Sequence, residues 1–279
     1  MEIQQKTVVG GIILILSCQK HKNTRLKEFK LKNDEYCGWK VIYVIGDLFL
    51  DVDYKLDDNI MTIKCEDSYI HLLKKFILAI KYLNEIYIIE QGVLRCGDDL
   101  VFNEKNLVSF LNSNKSDFDF IGTAASILSP NTSPSAFSRR VLINYPLEHL
   151  KMTRDDYFMV EYYLTHPEDF FNPQHNLKGV NILKYIKRPQ VNIGACGTLY
   201  YISNKCCKFL INTMENINYN IFHYDEFTQS YPYTIEDCAV SYILYLNGIN
   251  FLHDDNFCSN YGDFSNYDNI LAVATNKYK

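Results

Sequence analysis

The chain has 279 residues, of which 47% are hydrophobic, and its formal net charge is -5 at pH 7. This length and apolar content suit one large domain or two small ones built around a sheet-centred core. The mild acidity argues against a nucleic-acid-binding protein, which usually presents a basic face, although a local patch can depart from the total.

The nine cysteines include one adjacent pair, Cys206-Cys207, and no C-x-x-C pair. Zinc clusters need regular ligand spacing, and secreted disulfide frameworks usually have an even count, so the pattern favours reduced thiols in a cytosolic enzyme. The N-terminal apolar run Val8–Leu16 is shorter than the ~20 residues that span a bilayer, and no small-residue cleavage site follows it. We therefore expect no membrane-spanning segment.

The first third of the chain predicts alternating strands and helices. Val8–Leu16 is continuously apolar, which is typical of a strand buried on both faces. A basic stretch follows with a helix predicted over Thr24–Lys32, and such charge runs are often only a solvated helix face. Strands are predicted at Val41–Ile45 and Met61–Lys64. An amphipathic helix is predicted from Tyr69 to Leu83, with three lysines pointing away from the core: Lys74, Lys75 and Lys81.

Three carboxylates stand where predicted strands end. Asp67 lies near the start of the amphipathic helix, where an N-cap would accept backbone N–H bonds. Asp98 and Asp99 are placed between the apolar segments Val93-Leu94 and Leu100–Phe102, and carboxylates in apolar surroundings are costly to desolvate unless a cation meets them. A divalent metal is one partner for them, and a solvated Asp-Asp turn is the alternative.

The order of these elements indicates an α/β sheet with mainly parallel strands. A short helix at Asn106–Leu111 and a strand at Phe118–Ile121 continue the alternation. In such sheets the ligand crevice lies beyond the carboxyl ends of the strands, where Ser17, Asp67 and the Asp98-Asp99 pair are predicted to lie.

The second half of the chain is harder to interpret. Residues 123–190 are rich in loop signals and aromatic residues, and we expect acceptor contacts there because loops carry specificity on a fixed scaffold. Gly194 and Gly197 precede a strand at Leu199–Ile202, a helix is predicted over residues 205–218, and a further helix is predicted at Cys238–Leu246. Glycine there permits either close backbone approach to a ligand or a plain bulged strand entry.

Two further features complete the candidate site. Glu236 and Asp237 open the last helix, where acidic residues are stabilised by the helix dipole and where one could also serve as a general base. His253 follows an apolar strand, and a lone histidine there is either structural or a metal ligand. The tail from Asn260 is polar and is expected to be poorly ordered.

Four segments, in this order, resemble motifs of the β-1,3-galactosyltransferase/Fringe-like glycosyltransferases: Tyr54–Tyr69, Arg95–Asn103, Asn192–Ser203 and Thr234–Cys238. The family has an extended segment ending in Asp before a Tyr-led helix. A K-x-D-x-D-v-f-v metal motif, a G-x-x-Y-x-x-S strand and an E-D-V motif follow. The resemblance covers roughly residues 12–257, and the shared order is more specific than any one motif. The chain departs from the family at Gly97, which replaces the first Asp of the metal triplet and puts support of the metal and contacts to the donor ribose in doubt.

The resemblance implies a GT-A-like α/β fold, with a Rossmann-type, mostly parallel central sheet flanked by helices. It implies a single catalytic domain over residues 1–279, with a nucleotide-sugar-binding half at 1–122 and an acceptor-side and catalytic half at 123–279. The implied reaction is the inverting, metal-dependent transfer of galactose, N-acetylglucosamine, glucose or xylose from a UDP-sugar to a glycan hydroxyl, which forms a β-linkage. The partners would be a nucleotide sugar and a glycan acceptor, without nucleic acid.

The same resemblance implies roles for individual residues. Mn²⁺ (or Mg²⁺) would be held by Asp99, Asp98 and His253, and Asp237 would be the catalytic base with Glu236 beside it. The donor would contact five residues: Ser17, Arg25, Asp67, Asp98 and Gly197. Arg25 stands where the family has a donor-side Arg.

Location and two other functions stay open. Cellular relatives are typically anchored in the Golgi by an N-terminal helix, and this chain starts almost at the catalytic domain, so we expect a cytoplasmic enzyme, in the host cytoplasm if the source is a virus. One alternative is a metal-dependent nucleotidyltransferase, although the sequence has no G-x-x-x-x-G-K-[ST] loop. The other is a non-catalytic sugar- or nucleotide-binding protein derived from a transferase, which the Gly97 departure would suit.

Overall fold

The computed structural model describes residues 6–29, 31–124, 140–142, 152–155, 157–181, 187–189, 193–221, 235–249, 251–259 and 262–275. The strands of these residues are β1 Thr7–Leu16, β2 Glu35–Tyr36, β3 Trp39–Gly46, β4 Tyr54–Asp57, β5 Ile60–Ile63, β6 Tyr87–Gly97, β7 Leu100–Phe102, β8 Phe120–Ala124, β9 Arg140–Leu142, β10 Met152–Asp155, β11 Lys187–Pro189, β12 Ala195–Ser203, β13 Phe251–His253, β14 Cys258–Ser259 and β15 Ala272–Ala274. The helices are α1 Arg25–Glu28, α2 Leu72–Ile86, α3 Glu104–Asn112, α4 Tyr157–Thr165, α5 Asn204–Asn216 and α6 Glu236–Leu246.

A ten-stranded sheet runs through the molecule in the order β4-β5-β3-β1-β6-β12-β8-β13-β9, with β2 paired to β3. Strands β5, β3, β1 and β6 run parallel to one another. Strand β12 is antiparallel to both β6 and β8, and at the other side β4 is antiparallel to β5 and β2 to β3. The prediction of an α/β fold with a large central sheet flanked by helices is therefore confirmed. The sheet is therefore mixed on both sides of its parallel strands.

The central strand β1 explains why its sequence is continuously apolar. Ile12 and Leu14 contribute to the core on one face of the sheet, and Ile13 and Ile15 contribute to the core on the other. Successive side chains of a strand point to opposite faces, and both faces of this strand are covered, so all four side chains are fully buried. Helices α2, α5 and α6 cover the first face. Helix α3 and a small sheet of β14, β15 and β7 cover the second.

Two predictions about the extent of ordered secondary structure are wrong. The helix predicted over Thr24–Lys32 is the single turn α1, because Phe29 takes an extended backbone conformation and packs its ring 5.8 Å from Tyr43 and 6.3 Å from Phe102. The tail is ordered where it is described, because β15 pairs with β7 and β14 and buries residues Ile270–Ala274.

The described part of the chain contains no helix that is long and apolar enough to cross a membrane. Most of residues 125–156 and 182–192 lie outside the described ranges, and so does much of the segment 123–190 in which acceptor contacts are expected. Residues 222–234 also lie outside the described ranges.

Candidate functional site

The ends of the parallel strands β1 and β6 meet at Asp98. Ser17 donates its hydroxyl to Asp98 Oδ2 at 2.7 Å, His21 Nδ1 lies 3.0 Å from the same oxygen, and Arg25 Nη1 donates to Oδ1 at 3.2 Å. Burial alone would raise the pKa of Asp98, but the hydrogen bonds from His21 and Ser17 and the nearby positive charges hold it below its ordinary value. The hydrogen bond to Asp98 in turn raises the pKa of His21 to about 9.

Asp99 is a buried carboxylate in a different situation. Its side chain forms no ion pair with the described residues, and its pKa is raised by burial and then by the charge of Asp98. Its backbone oxygen accepts hydrogen bonds from the N–H and the hydroxyl of Thr275, which fixes the turn. A Cβ at Gly97 would lie 2.8 Å from Asp99 Oδ1, so the departure from the family motif at Gly97 leaves this carboxylate room.

Asp67 holds separate segments of the fold together and does not cap a helix. Its Oδ1 accepts from the N–H of Gly46 at 2.9 Å and from Lys75 Nζ at 2.8 Å, and its Oδ2 accepts from the N–H of Gln19 at 2.6 Å. The N-cap of α2 is His71, so the interpretation of Asp67 as the cap is wrong. The prediction that Lys75 points away from the core is also wrong, because both side chains of this ion pair are only 2% exposed. Asp67 therefore joins the segment that follows β1 to the end of β3 and to α2.

Strand β12 is antiparallel to β6, so its first residues bring the start of α6 to the carboxyl end of β6. Gly197 N–H donates to Asp237 Oδ2 at 2.9 Å, and a Cβ at Gly197 would lie 3.1 Å from that oxygen, so this close approach suits glycine. Asp237 is half-buried, and burial raises its pKa. Glu236 is buried, with Arg95 Nη2 at 2.8 Å and the Tyr200 hydroxyl on its other oxygen, and burial raises its pKa to about 6.

His253 lies on β13, three strands away from β6 in the sheet. Its Nδ1 accepts from the N–H of Ala124 at 2.9 Å, and its Nε2 lies 2.8 Å from Asp255 Oδ1. Both ring nitrogens are therefore engaged, which leaves no free lone pair for a metal in this arrangement.

The implied divalent metal fits the site at one residue. Among the described residues, no group of three or more His, Cys, Asp and Glu side chains could hold a metal ion. Asp98 is occupied by Ser17, His21 and Arg25, whereas Asp99 is a buried carboxylate without an ion-pair partner in the described ranges. Because Mg²⁺ is usually bound by one or two carboxylates together with substrate phosphates, Asp99 is the residue that would hold such a cation.

Sequence reasoning missed four residues of this region: His21, Lys75, Arg95 and Tyr200. Arg95 carried a signal, since a cation inside the apolar run Val93–Cys96 of a central strand is almost never buried without a partner. Its partner could not be identified from the sequence, because Glu236 lies 141 residues away.

Neither a scan against protein-family models nor a comparison with curated protein sequences gives a match for this chain.

Proposed function

We propose that the chain is an inverting glycosyltransferase of the GT-A type that transfers a sugar from a UDP-sugar to a glycan hydroxyl. The observation that carries the proposal is the position of Asp99 and Asp237 near the carboxyl end of strand β6. Asp99 is a buried carboxylate that lacks an ion-pair partner among the described residues, and Asp237 is half-buried on the neighbouring strand-helix unit. The carboxyl edge of parallel strands is where α/β sheets bind ligands.

The chemistry assigns one proton transfer to this chain. The bond from the acceptor oxygen to the anomeric carbon forms as the bond from that carbon to the diphosphate oxygen breaks, and UDP leaves with the electron pair. Asp237 accepts the proton of the acceptor hydroxyl, and burial raises its pKa toward the range that suits a general base. A divalent cation held by Asp99 would supply charge neutralisation for the diphosphate leaving group.

The choice of UDP, the four candidate sugars, the glycan acceptor and the cytoplasmic location rest on the resemblance and stay predictions. Arg25 and Ser17 support the donor side of the proposal, because both contact Asp98 at the end of β6. Asp67 contributes by anchoring the backbone of Gln19 beside them.

A UDP-sugar hydrolysis assay tests the proposal. Purified protein is incubated with each of UDP-galactose, UDP-N-acetylglucosamine, UDP-glucose and UDP-xylose, with Mn²⁺ or with EDTA, and UDP release is measured. We expect metal-dependent release from at least one donor, and loss of release in Asp237→Asn. UDP binding without hydrolysis of any donor would instead favour the non-catalytic binding protein, which the occupation of Asp98 by Ser17, His21 and Arg25 would suit.

A further inference from the structure

A buried polar network lies beneath Asp237, between strand β6 and the first turn of α6. Arg95 donates from Nη2 to Glu236 Oε2 at 2.8 Å and from Nη1 to the backbone oxygen of Gly197. Tyr200 donates its hydroxyl to Glu236 Oε1, and the Arg95 guanidinium lies 5.6 Å from the centre of the Tyr200 ring. The side chains of Arg95 and Glu236 are 4% and 3% exposed, so the network faces the protein interior.

Two routes connect this network to Asp237. The backbone of residue Gly197 is held on both sides, because its oxygen accepts from Arg95 while its N–H donates to Asp237 Oδ2 at 2.9 Å. Glu236 directly precedes Asp237 in the first turn of α6, so a fixed Glu236 also fixes the backbone of Asp237. The N-cap residue is Ile235, which has no polar side-chain atom, so the buried contacts of Glu236 hold this turn in place of a side-chain cap.

We propose that Arg95, Glu236 and Tyr200 are positioning residues that orient Asp237, and that Glu236 does not itself receive the proton of the acceptor. The inference rests on the proposed function. The side chain of Glu236 is buried and ion-paired with Arg95. Asp237 is half-buried and accepts hydrogen bonds from the backbone N–H groups of Gly197 and Cys238, so it can meet a ligand. Of the two adjacent carboxylates, Glu236 therefore positions and Asp237 accepts the proton.

The charges around Asp237 give this arrangement a signature in pH. Among the described residues, the groups that face Asp237 are Arg95 from β6, Tyr200 from β12, and Glu236 and Cys238 from its own helix. Arg95 and Glu236 neutralise each other in the wild-type protein. With Glu236→Gln, the positive charge of Arg95 faces Asp237 alone and favours its ionised form, which lowers the pKa of Asp237.

The test is UDP release from a UDP-sugar that the wild-type protein hydrolyses, with kcat and KM measured separately. For Glu236→Gln and Arg95→Lys we expect kcat to fall by about 100-fold, the cost of a small misplacement of a reacting group, with KM nearly unchanged. We also expect the acidic limb of the kcat profile to move to lower pH in Glu236→Gln. Glu215→Gln is the matched control, because Glu215 forms a surface ion pair with Lys81.

A double variant separates positioning from stability. In Arg95→Met/Glu236→Met both buried charges are removed together, which often restores stability, but no donor then holds the Gly197 oxygen. We expect a thermal midpoint near that of the wild type and a kcat that stays low.

Recovery of kcat along with stability, or wild-type kcat and pH profile in Glu236→Gln, would overturn the inference and leave the proposed function standing. Failure of the wild-type protein to hydrolyse any of the UDP-sugars would overturn the proposed function, and the positioning role with it.

Discussion

At the scale of single residues, the molecule treats its buried charges in two ways. Asp67 and Lys75 compensate each other, and both side chains are 2% exposed. Asp99 is also buried but has no ion-pair partner in the described ranges, and burial and the charge of Asp98 raise its pKa. A cost in stability that is left uncompensated at a site is typical of residues kept for binding or catalysis.

The Asp67–Lys75 pair gives a direct prediction about stability. Lys75→Met leaves the Asp67 carboxylate buried without its cation, so the free energy of unfolding should fall by about 3 to 5 kcal/mol. Urea unfolding measures this loss. The control is Lys74→Met, since Lys74 pairs with Glu66 at a more exposed position and should cost less than about 1 kcal/mol. Equal losses in the two variants would contradict the assignment of Lys75 to a buried pair.

At the scale of secondary-structure elements, the caps and the partners of each helix decide where it begins and ends. Helix α3 begins after Asn103, whose side-chain oxygen accepts from the N–H of Asn106 at 3.2 Å. The side-chain nitrogen of Asn103 donates to the backbone oxygen of Tyr267 at 3.0 Å, which ties α3 to the C-terminal segment.

The two roles of Asn103 can be measured separately. Asn103→Ala removes the cap and the tether, and should lower the free energy of unfolding by about 1 to 2 kcal/mol. Asn103→Asp keeps a capping oxygen and loses only the donor to Tyr267, so it should lose less. Chemical denaturation of both variants makes the comparison, and an Asp variant that loses as much as the Ala variant would argue against the cap.

The elements also show what the sequence could predict. The strands β1 and β3 follow from continuous apolar runs, and the helix α2 follows from apolar periodicity, because each is buried along its length. The shortness of α1, the burial of Lys75 and the order of the tail depend on partners far along the chain, such as Phe102 for Phe29 and β7 for β15. Local sequence patterns do not predict contacts between residues so far apart in the chain.

The same distinction applies to the candidate site. The prediction that Ser17 and Asp98 lie together at strand ends is confirmed, since their hydrogen bond joins β1 to β6. His21 and Arg95 were missed because their roles depend on contacts 77 and 141 residues away, with Asp98 and Glu236. The roles of Asp99, Asp237 and His253 in binding and catalysis stay predictions.

At the scale of the whole molecule, Lys115 contributes to the pH dependence of stability. Its ammonium group donates to Gln91 Oε1 and to the backbone oxygens of Leu111 and Ser113, and three aromatic rings surround it: Trp39, Phe110 and Tyr201. It forms no ion pair with the described residues, and burial lowers its pKa to about 8. Between about pH 8 and the ordinary value of 10.5, the unfolded chain binds more protons than the folded protein.

This difference in proton binding predicts a rise in stability with pH. As the pH increases from 8 to 10.5, the wild type should gain on the order of 1 to 3 kcal/mol relative to Lys115→Met, in which the titrating group is absent. Urea unfolding of both proteins across this range provides the measurement. A difference between the two proteins that stays constant with pH would contradict the lowered pKa.

The proposed nucleotide-sugar site includes Asp99, and thermal stability in the presence of nucleotides tests it most directly. A ligand that binds only the folded state raises its stability by an amount set by concentration over affinity. We would titrate UDP, GDP and ADP with and without Mn²⁺ against the wild type and Asp99→Asn, with Asp117→Asn as a control at the surface. We expect UDP with Mn²⁺ to stabilise the wild type and the control but not Asp99→Asn. We also expect Asp99→Asn without ligand to be more stable than the wild type. A wild-type protein that responds to no nucleotide, or an Asp99→Asn variant that responds as the wild type does, would contradict a nucleotide-sugar site at Asp99.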